Sequence, residues 1–212
     1  MTLAFARFDL QSWLPRIQTL LPLAFIAVVG IVLPVPGMAI AASAFVVTLI
    51  VSAPFLGDER GRLDTLYGVL PVSRRTIVVG RALAILAYGV LALAVANAVT
   101  LATVLVRGGE LAPEILLIAN AAAVAIIGLA MSLQLPVFFR IGYSRGRLVG
   151  YAPALVVAAL AWLGQTTGTI TTANFSGIPV GLAVGVGFGI GAVGIIVGTL
   201  VALRTYRDRE LR

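Results

Sequence analysis

Apolar residues dominate the chain in long blocks that short polar or charged segments separate. A helix that crosses a membrane needs about 20 mostly apolar residues, and six blocks approach or exceed this length. They cover residues 17–33, 38–55, 77–106, 113–139, 148–163 and 180–203. Two prolines and a glycine in the turn 34–37 interrupt what would otherwise be one continuous helix. The pattern therefore predicts an all-α polytopic membrane protein, a single transmembrane domain of six helices over residues 1–212.

The first 16 residues mix aromatic and charged side chains. Phe8 and Trp13 alternate with Arg7 and Asp9, a pattern typical of a helix that lies in the membrane interface and contacts lipid. A signal peptide is the other interpretation of such a beginning. We favour an interfacial helix over residues 1–16, with Trp13 at the depth of the lipid headgroups.

The composition excludes a soluble domain and most enzymes. Hydrophobic residues make up 60% of the chain and charged residues 11%, whereas soluble domains are about 45–50% apolar and about 25% charged. The chain has no Cys and no His, so the usual zinc ligands, thiolate nucleophiles and imidazole bases are missing. We expect no catalytic residue, no metal site and no cofactor in this chain.

The net charge of +7 reflects membrane topology. With six spans, every arginine except Arg107 falls on the side that carries both chain termini. Because positively charged loops stay in the cytoplasm, we expect both termini to be cytoplasmic in a multi-pass protein of the cytoplasmic (inner) membrane. The positive charge therefore does not indicate a nucleic-acid partner.

The residue pattern of the segment 58–72, between the second and third blocks, predicts a short amphipathic helix. Asp58 could cap its first turn and Pro71 would end it. Helical spacing places one apolar stripe on it, formed by Leu63, Leu66, Tyr67 and Leu70. From this periodicity alone, the helix could lie on the membrane surface or insert into a groove of a cytoplasmic partner.

Two segments resemble a known family. Asp58-Glu59, followed by the run 65–78 with its Leu-Pro-Val-Ser-Arg element and by Gly80-Arg81, is similar to a signature of ABC-2-type transporter permeases. Residues 135–147, beginning Leu-Pro-Val-Phe-Phe-Arg, resemble a second element of the same family. The likeness is greatest to the small six-span branch that includes exporters of phenol-soluble modulins and other antimicrobial peptides.

The resemblance implies that 58–72 is a coupling helix seated on a separate ABC ATPase (nucleotide-binding) subunit, and that 1–16 is an interfacial connecting helix. It also implies that a second permease copy or a paralogue completes the pathway. The chain has no G-x-x-x-x-G-K-[ST] loop, so ATP and Mg²⁺ would bind to the partner. The expected ATPase-coupling residues are Asp58, Glu59, Arg62, Leu63, Leu66, Tyr67, Leu70, Arg140 and Arg145.

The expected function is outward movement of an amphipathic substrate, a peptide or a lipid-like molecule. The alternative is a non-transport membrane scaffold or assembly factor that docks a cytoplasmic protein. A P-loop ATPase partner would distinguish the first from the second.

Polar residues inside the apolar blocks have two interpretations. Asn97, Thr100, Asn120 and Gln134 could line a substrate pathway, or they could form hydrogen bonds between helices. Such bonds are common in membranes although each is worth only about 0.6 kcal/mol on average. We favour packing.

The last block is rich in glycine and contains three G-x-x-x-G pairs, which allow helices to approach closely. The pairs are Gly181/Gly185, Gly187/Gly191 and Gly194/Gly198. Their neighbour could be another span of this chain, the second permease or a mobile gate, and we favour packing within the chain.

Overall fold

The computed structural model describes residues 2–33, 35, 37–61, 72–109, 112–168 and 179–207. These ranges are helical apart from short connections, and no strand occurs within them. The helices are α1 (Thr2–Trp13), α2 (Ile17–Val32), α3 (Met38–Ile50), α4 (Ala53–Gly61), α5 (Arg74–Arg107), α6 (Pro113–Thr166) and α7 (Val180–Arg207).

Four helical stretches are long and apolar enough to cross a membrane. They are Met38–Gly61, Arg74–Arg107, Pro113–Gly164 and Val180–Tyr206. Helices α1 and α2, which meet at an angle of 82°, add a fifth if they count as one broken span. The prediction of an all-helical, multi-pass membrane protein is therefore confirmed over the described residues, while the count of six separate spans stays a prediction.

Helical structure continues beyond residue 55, where the second apolar block is predicted to end, as far as Gly61. Only residues 51–52 separate α3 from α4, and the backbone N–H of Leu56 donates to the carbonyl of Ser52. The N-cap predicted at Asp58 is wrong, because α4 begins at Ala53 and Asp58 lies in its last turns. The rest of the predicted coupling helix, residues 62–71, lies outside the described residues.

Helix α6 folds back on itself at Gly142. The amide Nε2 of Gln134 donates to the carbonyl of Gly150 over 2.9 Å, although 16 residues of straight helix would span about 24 Å. Gly142 has φ +78° and ψ 178°, a conformation open to glycine because it has no Cβ. The blocks predicted at 113–139 and 148–163 are thus two packed segments of α6, here called its first segment (113–141) and second segment (143–166).

Helix α1 lies across the start of α5. Phe5, Asp9 and Trp13 are spaced four residues apart, so they share one face, and all three are buried. Trp13 is only 2% exposed and its ring lies 5.7 Å from that of Tyr88. Contact of Trp13 with the lipid headgroups is therefore wrong, because the indole packs inside the bundle, while its depth in the membrane stays a prediction.

Candidate functional site

One end of the helix bundle gathers α1, α4, the beginning of α5, the Gly142 turn and the end of α7. We call it the charged end. Its contacts include Phe5, whose ring would lie 2.6 Å from a Cβ at Gly80, and Arg74, which donates to the carbonyl of Tyr206 over 3.2 Å. Among the described side chains, the exposed arginines of this end are Arg7, Arg16, Arg60, Arg74, Arg75, Arg140, Arg145, Arg147 and Arg204.

The opposite end carries far less positive charge. Arg107, at the end of α5, donates there to the carbonyl of Ile31 in the last turn of α2. Because α5 has 34 residues, the two ends of the bundle lie about 50 Å apart. The described residues thus reproduce the charge asymmetry of the sequence as an asymmetry between two faces of the molecule.

A buried ion cluster lies just inside the charged end. It consists of Asp9 on α1, Asp58 on α4 and Arg81 on α5. Arg81 Nη2 lies 2.8 Å from Asp9 Oδ1 and 3.2 Å from Asp58 Oδ1, and Nη1 also bonds to Asp58. Arg81 is 1% exposed and Asp9 is 2% exposed, so these charges are separated from water, and the single guanidinium of Arg81 is compensated by two carboxylates.

Aromatic rings pack against this cluster. The Arg81 guanidinium lies 4.9 Å from the ring centre of Phe55, within the range of a cation–π contact. The ring centre of Phe55 lies 5.2 Å from that of Phe138 and 5.0 Å from that of Phe139. The ring centre of Phe139 lies 5.1 Å from that of Tyr206. The rings therefore link the ion cluster to α6 and to the end of α7.

The next residue of α4 makes a different contact. Both carboxylate oxygens of Glu59 accept from the backbone N–H of Ser144, over 3.0 and 3.1 Å, and the Ser144 hydroxyl donates to the same carboxylate. Ser144 lies just after the break at Gly142, where N–H groups lack helical partners and the helix dipole favours negative charge. Glu59 therefore stabilises the start of the second segment of α6.

The structure brings the described beginning of the predicted coupling segment, residues 58–61, against the other segment predicted to contact the ATPase, residues 140–147. Glu59 joins them directly, and Arg140 and Arg145 are exposed beside this contact. Asp58 differs from the expectation, because its carboxylate points into the ion cluster and is buried. The other expected coupling residues lie outside the described residues: Arg62, Leu63, Leu66, Tyr67 and Leu70.

Neither Asp9 nor Arg81 is among the site residues expected from the sequence, although Arg81 belongs to the motif that resembles the family. The available signal was the position of Arg81 four residues inside a predicted apolar block, where an unpaired charge is costly and requires a partner. What the sequence does not provide is the partner, since residue 9 is far from residue 81 along the chain. Within the described ranges no group of three or more His, Cys, Asp or Glu side chains forms a metal site.

The polar residues inside the apolar blocks bond within the chain. Asn97 on α5 and Asn120 on α6 exchange two hydrogen bonds of 2.9 Å. Thr100 donates to the carbonyl of Ala96 four residues earlier, and Gln134 closes the fold-back of α6. These contacts favour the packing interpretation over a pathway lining for Asn97, Asn120 and Gln134, whereas the bond of Thr100 stays within its own helix and does not distinguish the two.

The glycines of α7 divide between two faces. A Cβ at Gly187, Gly191, Gly194 or Gly198 would lie 2.6–2.9 Å from atoms of the first segment of α6, so the backbones touch there. A Cβ at Gly181 or Gly185 would meet nothing within 4 Å. Packing within the chain therefore accounts for two of the three G-x-x-x-G pairs.

Almost the whole chain matches a known protein family. A family model described as "ABC-2 family transporter protein" matches residues 9–207. No curated protein and no solved structure matches the chain. The matched range includes the ion cluster, both segments that meet at the charged end and the glycine-rich α7.

Proposed function

The chain belongs to the ABC-2 family of transporter proteins, and from this premise we propose that it is the membrane-spanning permease subunit of an ATP-driven exporter. ATP and Mg²⁺ would bind to a separate ABC ATPase subunit, because this chain contains no G-x-x-x-x-G-K-[ST] loop. The chain itself would carry no catalytic residue. Its part is to convert movements of the ATPase into movements of its membrane helices.

The observation that best supports this proposal is the convergence at the charged end. Residues 58–61, which begin the predicted coupling segment, and residues 140–147 meet where the Glu59 carboxylate binds Ser144. A cytoplasmic subunit that docks against both would act on α4 and α6 together. Closure of two ATPases around nucleotide would then shift the permease between two arrangements of its helices, which is a population shift.

The topology that fits this role has the charged end in the cytoplasm of the inner membrane. The concentration of arginine at that end supports it by the positive-inside rule. Counting each segment of α6 as one crossing, together with α2, the α3–α4 pair, α5 and α7, gives six crossings and two cytoplasmic termini. The fold-back at Gly142 supports this count, because the 52 residues Pro113–Gly164 would otherwise span about 78 Å.

The proposed substrate is an amphipathic molecule, a peptide or a lipid-like compound, moved outward. The support is the apolar character of the membrane helices and the bonding of the Asn97–Asn120 pair within the chain, which leave few polar or charged groups to bind an ion or a sugar. A second permease copy or a paralogue would complete the pathway. The exposed glycines Gly181 and Gly185 are compatible with such a neighbour.

The experiment that tests the proposal is mass spectrometry of proteins that co-purify with the tagged chain after mild extraction from its native membrane. A stoichiometric partner with a Walker A loop is expected. Recovery of the chain alone, or with partners that lack such a loop even after crosslinking, would contradict the proposal and favour a scaffold or assembly factor.

A pair of variants tests the coupling segment. Leu66→Glu with Tyr67→Glu should abolish recovery of the ATPase, because charge would replace the apolar stripe expected to contact it. The matched control places the same two changes at Leu105 and Val106, exposed apolar residues at the opposite end. The assignment of the coupling segment would be refuted if the Leu66/Tyr67 double variant recovered as much ATPase as the control variant and the unchanged chain.

A further inference from the structure

Two neighbouring residues of α4 hold different parts of the molecule. Asp58 binds Arg81 inside the ion cluster, and Arg81 also binds Asp9, so this contact joins α4 to α5 and α1. Glu59 binds Ser144 at the surface, so that contact joins α4 to the second segment of α6. The last turns of α4 are therefore a branch point between two connections.

The two connections differ in how readily they separate. Arg81 is nearly inaccessible to water, and a buried guanidinium that loses its carboxylates is left as an uncompensated charge. Its planar fork also fixes the relative positions of the carboxylates it binds. The Glu59–Ser144 contact is exposed, so water can replace each hydrogen bond at little net cost.

Helix α1 is held to α5 by more than the charges. Along its buried face, Phe5 packs at Gly80, Asp9 bonds to Arg81 and Trp13 packs against Tyr88. These three contacts extend over two turns of α1. A displacement of α5 at the charged end would therefore carry α1 with it.

From this difference we propose that the ion cluster is a permanent joint and the Glu59–Ser144 contact a releasable one. On ATP binding by the partner subunit, α1, α4 and the beginning of α5 move as one body relative to the second segment of α6. The end of the first segment moves with this body, because Phe138 and Phe139 pack against the Phe55 ring of α4. Arg81 is a positioning residue in this scheme, since it acts by holding Asp9 and Asp58. The inference rests on the proposed function, because the force comes from the ATPase.

Distances between two spin labels, measured in the permease–ATPase complex, test the proposal. Because this chain contains no cysteine, an introduced pair of cysteines is labelled without removing any native residue of the permease. One pair, Arg7→Cys with Arg60→Cys, reports within the proposed body. The other pair, Arg60→Cys with Leu148→Cys, reports across the releasable contact. All three positions are exposed. Between the nucleotide-free and ATP-trapped complexes, the first distance should stay constant and the second should change.

Variants of Asp58 test the joint itself, because Asp58 is the residue of α4 that binds Arg81. With Asp58→Asn, the distance between positions 7 and 60 should become nucleotide-dependent, whereas Asp58→Glu, which keeps the charge, should restore a constant distance. A constant distance with Asp58→Asn would overturn the role of the ion cluster. If Asp58→Asn does not fold, the two distances in the otherwise unchanged chain decide: movement between positions 7 and 60, or none between 60 and 148, overturns the proposal.

The outcomes separate this inference from the proposed function. A complex that forms and hydrolyses ATP, but in which positions 7 and 60 move apart, leaves the permease function intact and refutes the joint. Failure of any ATPase to bind the unaltered chain refutes the proposed function and the joint with it.

Discussion

Replacing Gly191 with alanine should destabilise the packing of α7 against α6. A Cβ at this position would lie 2.6 Å from Val124 Cγ1 and 2.7 Å from Val124 O. Because one of these atoms belongs to the backbone of α6, a change of side-chain rotamer cannot relieve the overlap. The two helices must separate, or one must bend.

The size of the effect follows from these distances. Carbon atoms pack best at about 3.5–4.0 Å, so the helices would have to move apart by about 0.5–1 Å. A gap of that size forfeits about a quarter to a half of the dispersion attraction of the atoms facing it. Together with the strain of overpacking, we expect the free energy of unfolding to fall by about 1–3 kcal/mol.

The same helix provides a matched control. A Cβ at Gly185 would meet nothing within 4 Å, so Gly185→Ala introduces no overlap. Alanine is the better helix former by up to about 1 kcal/mol in water, and this variant should be neutral or slightly more stable. Both variants add one methyl group to an apolar helix, so the difference between them isolates the contact with α6.

Reversible unfolding in mixed detergent micelles, followed by circular dichroism, measures both variants against the unchanged chain. Gly191→Ala should unfold at a lower denaturant concentration than Gly185→Ala, with the same slope. Free energies of unfolding that agree within about 0.5 kcal/mol, the range of an ordinary surface substitution, would refute the close approach of the two helices.

Three other contacts lead to predictions that the same unfolding measurement checks. In a double-mutant cycle with leucine, Asn97 and Asn120 should show a coupling of about 0.6 kcal/mol, as is usual for interhelical hydrogen bonds; a coupling of zero would contradict their reciprocal pairing. Trp13→Ala should cost about 3–5 kcal/mol because the indole is buried, whereas Phe8→Ala should cost far less, since that ring is 54% exposed; similar losses would refute the docking of α1. Glu59→Gln should cost about 0.3–1 kcal/mol by weakening the interaction with a helix N-terminus, and an effect independent of salt would contradict this electrostatic cause.

Local rules account for the features that the sequence predicts well. Hydropathy marks the apolar blocks because each polar residue placed in a membrane adds its own free-energy cost, independently of distant residues. The distribution of arginine is also a property of the linear chain, and it agrees with the two faces of the structure. The match over residues 9–207 confirms the family that the motifs around Asp58 and Leu135 resemble.

The boundaries near the charged end are less predictable. Asp58 has the residue type of an N-cap, but the turn at Ser52 starts α4 earlier and the carboxylate is drawn to Arg81. Similarly, Trp13 has the residue type of a headgroup anchor, yet Tyr88 offers it a buried ring contact. In both cases a long-range partner prevails over a local preference.

The amino-acid sequence alone is enough to predict an all-helical membrane protein with its arginines on one side. The folded structure adds which charges pair, which glycines of α7 touch a neighbour, and that α4 joins both α5 and α6. Composition and periodicity describe one helix at a time. The partners of Asp9, Glu59 and Gly191 lie dozens of residues away along the chain, and only the packing of the folded helices brings them within contact distance.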